Sequence, residues 1–153
     1  MTMPAVLPMF LLASMISPGL AAQKPRDLSK LDACKVLTAA DVAAATKRKV
    51  LKSIGGEVHC GYVMDAPQSV ADGYDFYLQE ASLADALLRA QSAADRGTPV
   101  PGLWSEAYVG AATGTKGLLS LVALNRGDMA IEIHGTSRDA LIALAKIAVS
   151  RLK

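Results

Sequence analysis

The sequence predicts an α+β domain, a mostly antiparallel sheet with a C-terminal helix packed on it. Three observations carry that prediction. Short segments of period-two alternation are closed by turn residues at Gly55-Gly56, at Gly114 to Gly117 and at Asn125-Arg126-Gly127-Asp128, which is hairpin chemistry. Two later segments instead repeat apolar residues at helical spacing, and the second of them closes the chain. The resulting order is a short helix, three strands, a helix, three strands and a helix, and such elements stack as layers around one core.

Each element has a local reason. Thr38 with Asp41 three residues on reads as an N-cap with an acidic first turn, opening a helix that runs to Thr46. Val50 to Ile54 reads as a strand. Val58, Cys60, Tyr62 and Met64 alternate with His59, Gly61 and Val63, and Tyr74, Phe76 and Leu78 alternate with Asp75, Tyr77 and Gln79, giving two half-buried strands. Ser82 and Asp85 mark a second helix start. Leu83, Ala84, Leu87, Leu88, Gln91 and Ala94 are its expected apolar stripe, ending near Gly97. Pro99-Val100-Pro101-Gly102 cannot continue a helix and predicts a turn-rich connection. Glu106 to Ala111 predicts a strand, and the unbroken apolar run Leu118 to Leu124 predicts a central strand covered on both faces. Met129 to His134 completes the hairpin. Ser137 then caps a helix whose Leu141, Leu144, Ala145, Ala148 and Leu152 share one face, with Lys146, Arg151 and Lys153 suiting its C-terminal half.

Composition bounds the function. Residues 1–23 carry no charged side chain, Met9 to Ile16 are their apolar centre, and Ala21-Ala22 suits cleavage near the Ala22–Gln23 bond. Residues 1–22 are therefore expected to be a signal peptide, 23–30 a flexible leader and 31–153 a single domain. The competing reading is an uncleaved anchor, although Pro4, Pro8 and Pro18 divide the run into pieces short of the ~30 Å of hydrocarbon a span must cross. No transmembrane segment is expected after cleavage, and the expected location is periplasmic or secreted. The formal net charge of +2 is spread evenly, which is no footprint for nucleic acid. Lys47, Arg48, Lys49 and Lys52 cluster. They read as a solvated helix end guarding a strand edge, with a patch for an anionic lipid or polymer as the alternative.

Several words suggest a family. Cys34 lies within Asp-Ala-Cys-Lys-Val-Leu-Thr-Ala-Ala-Asp-Val, Cys60 within Cys-Gly-Tyr, Val100-Pro101-Gly102-Leu103 precedes Glu106-Ala107-Tyr108, and the last helix ends Ala-Val-Ser-Arg-Leu. Over most of residues 31–152 the chain resembles small exported bacterial proteins, many of them lipoproteins, that share a PsbP-like α/β/α sandwich. The resemblance implies that fold and an accessory or binding role rather than catalysis. The chain departs from the pattern in having no lipidation cysteine at the signal junction, and in Trp104, where such proteins often carry a small residue.

The candidate sites follow. Cys34 and Cys60 are expected to form a disulfide in an oxidising compartment. The bond would close a loop of about 25 residues, which a chain-entropy model values at roughly 3.5 kcal/mol. The redox alternative lacks Cys-x-x-Cys spacing, and on a regular strand His59 faces away from Cys60. His59, His134 and Cys60 fall short of the three or four close-spaced ligands a zinc site needs, so no metal or other cofactor is expected. Ser69, Ser105 and Ser120 lie in no nucleophile-elbow pattern, and Asp72, Asp75 and Glu80 read as an acidic strand edge. Arg126-Gly127-Asp128 spells an adhesion tripeptide but suits a tight turn. Trp104, with Val100 and Leu103, is a candidate surface for a protein or envelope partner. The competing reading is a plug on one end of the sandwich. Tyr74, Tyr77 and Tyr108 could extend that surface, with half-buried packing on their strands as the alternative. The expected function is a non-enzymatic exported binding module, with a small-ligand carrier or an enzyme using a helix–sheet cleft as the alternative.

Overall fold

A computed structural model of the chain describes residues 24–65 and 72–153. The expected signal peptide and Ser69 lie outside the described residues. The elements are α1 (Ala33–Val36), α2 (Ala39–Thr46), β1 (Val50–Gly56), β2 (His59–Met64), β3 (Tyr74–Glu80), α3 (Ala81–Ala90), α4 (Ala93–Arg96), β4 (Thr98–Pro99), β5 (Glu106–Ala111), β6 (Leu119–Asn125), β7 (Met129–Gly135) and α5 (Arg138–Arg151). The strands form a seven-stranded sheet in the order β1-β2-β3-β7-β6-β5-β4, with every neighbouring pair antiparallel. The chain is of the α+β class, with its C-terminal helix packed on a mostly antiparallel sheet.

One face of the sheet is closed. Cys60, Tyr62, Met64, Phe76, Ile131 and Ile133 point to it and are buried, with α1, α2 and α5 above them. Leu141, Leu144, Ala145, Ala148 and Leu152 of α5 supply the facing layer, the face expected from their spacing. Ser137 caps α5 by accepting from the Ala140 amide, and Thr38 with Asp41 forms a complete capping box on α2. The two helices are joined by Arg151, which donates to both oxygens of Asp41 at 2.6 and 2.9 Å and to the Val36 carbonyl at 2.8 Å. That guanidinium, helped by Thr38, holds the Asp41 carboxyl down at about 2. Beneath α1 the Cys34–Cys60 disulfide ties helix to strand, with Cα atoms 5.1 Å apart, and the Tyr62 hydroxyl donates to the Leu37 carbonyl.

Three expectations need correction. The leader is anchored over its described part. Arg26 donates to both Asp128 oxygens at 3.1 and 2.7 Å and to the Leu152 carbonyl at 2.6 Å, and Leu28 packs on the core. The second helix starts at Ala81 and breaks at Gln91, because Ser92 caps a new turn by accepting from the Asp95 amide at 3.2 Å. Its stripe is also narrower than expected. Ala81, Ala84 and Leu88 are buried, whereas Leu83 and Leu87 are 55% and 53% exposed. The helix rests on the small patch of Ala130 and Leu124, and a flat sheet touches one narrow strip of a helix. For the same reason β6 is not covered on both faces. Val122 packs at the margin of the α3 patch and stays half-buried, as does Ser120.

Candidate functional site

The second face of the sheet, under α3, carries the chemistry. Alternation places His59 and Gly61 of β2, Asp75, Tyr77 and Gln79 of β3, Glu132 and His134 of β7, Ser120 and Val122 of β6, and Tyr108 and Gly110 of β5 on it. Register then aligns them in two cross-strand rows. One runs His59–Tyr77–Glu132–Val122–Tyr108, the other Gly61–Asp75–His134–Ser120–Gly110.

Glu132 is the hub. Its Oε1 accepts from the Ser120 hydroxyl at 3.0 Å and from His134 Nε2 at 2.7 Å, and its Oε2 accepts from the Gln79 amide at 2.5 Å. Burial alone would raise this carboxyl, but the three donors outweigh it and hold it below the usual carboxylate range. The same bond raises the His134 imidazole above its ordinary value, against a smaller opposing effect of burial. A second pair bridges β2 and the adjacent β3, where His59 Nε2 lies 2.9 Å from Asp75 Oδ1. Gly61 makes room for it, since a Cβ there would sit 3.0 Å from that oxygen. Tyr77 lies between the two pairs, stacked on His59 at 4.5 Å and tilted to His134 at 5.4 Å. Burial, then the nearby Asp75 and Glu132 charges, pushes its phenol up.

Beside this network a cleft of about 290 Å³ opens between the α3–α4 segment and the sheet. Leu88, Tyr108 and Val122 give it apolar walls, and Ser120, Glu132 and His134 line its polar side. Arg96, at the end of α4, closes the opposite side with its guanidinium carbon 5.6 Å from the centroid of the Tyr108 ring. Two glycines permit that approach. Gly97 turns at φ +87°, where a Cβ would collide with the Val109 carbonyl, and a Cβ on Gly110 would meet the Gly97 Cα at 3.1 Å. Arg96 Nε is buried and has no hydrogen-bond partner.

The disulfide between Cys34 and Cys60 is present, on the closed face and away from this cleft. His59 and His134 share a sheet face that Cys60 does not, and among the described residues no group of three or more His, Cys, Asp or Glu is arranged to hold a metal ion. The acidic edge dissolves into separate pairs. Asp72 is buried against Arg48 at 2.6 Å, Asp75 meets His59, and Glu80 ends β3. In the adhesion-like tripeptide, Asp128 is buried against Arg26 while Arg126 reaches Glu106 at 2.5 Å, so the turn reading accounts for both charges. Val100 and Leu103 are 7% and 2% exposed and belong to the core of the closed face, which corrects their expected surface role. Trp104 is half-buried against that core at φ +49°.

The sequence reading held a helix–sheet cleft as its alternative without locating it, and Arg96 escaped it. Their trace was the polar residues on the outward-facing positions of β7, Glu132 and His134, together with glycine at 97 and 110. Comparison with protein-family models, curated proteins and solved structures finds no match to this chain.

Proposed function

We propose that the protein is an exported, non-enzymatic binding module, periplasmic or secreted, that takes a small ligand in the cleft between α3–α4 and the sheet. The observation that carries this reading is the half-buried Arg96, which lines the cleft over Tyr108 with no acidic partner among the described residues, while the polar groups Ser120, Glu132 and His134 of the cleft are already bonded to one another. A guanidinium that lines a cleft without a carboxylate of its own is a ready partner for an acceptor group of a ligand. Export is supported by the disulfide, which persists in oxidising compartments, and by the uncharged stretch at residues 1–23. No helix among the described residues is long and apolar enough to cross a membrane. The PsbP-like resemblance points to the same accessory role.

The bonding order argues against nucleophilic catalysis. In a hydrolase triad the histidine stands between nucleophile and acid. Here Glu132 stands between Ser120 and His134, so the serine hydroxyl donates its hydrogen bond to a carboxylate that three donors keep ionised. That arrangement fixes side chains and activates no nucleophile.

A thermal-shift screen of small polar metabolites tests the reading, run on wild type and on Gln91→Trp. Gln91 is exposed at the cleft mouth, so the variant fills the opening without touching the core. Compounds that raise the Tm of wild type and leave Q91W unmoved are expected. Hits that stabilise both proteins equally, or no hits, overturn it.

A second reading rests on Trp104, a non-glycine residue at positive φ beside a shallow depression lined by residues 99–108. It has this loop docking an envelope protein. Crosslinking pull-down from the native envelope should then lose its partner in Trp104→Ala, and an unchanged partner set ends that assignment.

A further inference from the structure

We infer that the ligand of the cleft is a small organic carboxylate, its oxygens taken by Arg96 and its apolar body laid against Leu88, Tyr108 and Val122. This deepens the ligand-binding reading above and rests on it. Arg26, Arg48, Arg89, Arg126 and Arg151 each hold a carboxylate, and Arg138 is exposed at the start of α5. Arg96 alone is half-buried with no acidic partner among the described residues.

The acids lining the cleft are occupied elsewhere. Glu132 accepts from three donors, and Asp95 stands on the exposed rim, where it accepts the Ser92 hydroxyl at 2.6 Å. A guanidinium is a planar fork matched to the two oxygens of a carboxylate. Packing over the Tyr108 ring holds that plane in place while excluding water from one side of it. An ammonium-bearing ligand would meet an uncompensated cation, and a neutral one would leave the Arg96 guanidinium without an opposite charge. The apolar walls favour a carboxylate with a hydrocarbon or ring body over a fully hydrated ion. A cleft of about 290 Å³ lies at the small end of ligand pockets, which selects a compact molecule.

Isothermal titration of the full chain tests this with benzoate, its neutral isostere benzamide, and inorganic phosphate. Benzoate is expected to bind saturably, with benzamide and phosphate each at least about tenfold weaker. Arg96→Gln should weaken benzoate by about tenfold or more, the size of one charge-assisted bond, while leaving benzamide nearly unchanged. Benzamide matching benzoate, R96Q binding benzoate like wild type, phosphate binding more tightly than benzoate, or no saturable benzoate heat would each overturn the carboxylate assignment. Should R96Q fail to fold, the benzoate–benzamide contrast on wild type decides alone. The two levels fail separately. A neutral compound that stabilises wild type but not Q91W retires the carboxylate and keeps the cleft. Stabilisation indifferent to Gln91→Trp retires the cleft itself.

Discussion

Ile133 and His134 are neighbours in the chain, yet they serve opposite faces of one sheet. Ile133 is fully buried beneath the closed layer of α1, α2 and α5, where side chains are apolar and a disulfide fastens the cover. His134 faces a cover that is smaller and set to one side. There α3 seals only Ala130 and Leu124 and leaves the rest of the row to a hydrogen-bonded network and a cleft. The contrast separates stability from function. Burial over a whole face makes a fold, and a face left half covered can hold a ligand.

The sharpest way to break the comparison is to empty each face in turn. Phe76→Ala, at a fully buried position of the closed face, should cost about 3–5 kcal/mol in urea unfolding, because it loses transfer energy and leaves a cavity. Ser120→Ala on the open face should cost about 1 kcal/mol, one hydrogen bond in a partly wet site. Equal costs would mean that the two faces share one core.

Reduction of the disulfide comes next. The closed face should lose roughly 3.5 kcal/mol, as expected for a cross-link between residues 26 apart. Any measured ligand affinity of the cleft should change less than about twofold, since the bond lies on the other side of the sheet. A parallel fall in both would couple the faces.

The faces should also fail at opposite ends of the pH scale. Asp41, held down at about 2 by Arg151, contributes stability that is full above its unfolded value of 3.8 and is lost as pH falls through about 2. His134 is shifted the other way. Its contribution is full below the ordinary 6.5, provided Glu132 is ionised, and is lost as pH rises through the elevated value. The Tm gap between wild type and His134→Gln should therefore be widest near pH 5–6 and narrow in mildly alkaline buffer, while the gap for Arg151→Gln should close only in strong acid. A His134→Gln gap that is flat across neutral pH would remove the imidazolium–Glu132 pair from the account.

The smallest effect is expected on the outer side of α3. Leu83→Gln and Leu87→Gln should each change stability by no more than about 0.5 kcal/mol, since both side chains are already in water. A loss above about 1 kcal/mol in a dilute monomer would show that this helix face is covered.

Much of the fold was legible because its signals are local. Alternation around Cys60 and Phe76, the Asn125–Asp128 turn and the Ser137 cap each specify an element within a few residues. The helix over residues 81–96 was read less well, because an apolar stripe does not say how wide a strip the sheet will cover. Of the site, the histidines and Ser120 were visible as residues but not as a constellation, since Glu132 meets Gln79 across 53 positions of chain. Arg96 carried only an indirect signal, the glycines at 97 and 110. An arginine near a helix end is ordinary until Gly97 and Gly110 let it close over Tyr108.

The class, the order of elements, the pairing of Cys34 with Cys60 and the side chains that share a strand face are all readable from the chain. These follow from periodicity, turn chemistry and the scarcity of cysteine. It took the stacking of the layers to fix that α3 covers part of a face, that Leu103 turns inward, and that Arg96 is left without an acid among the described residues. Those outcomes depend on which surfaces meet once the layers stack, and no residue carries that information alone.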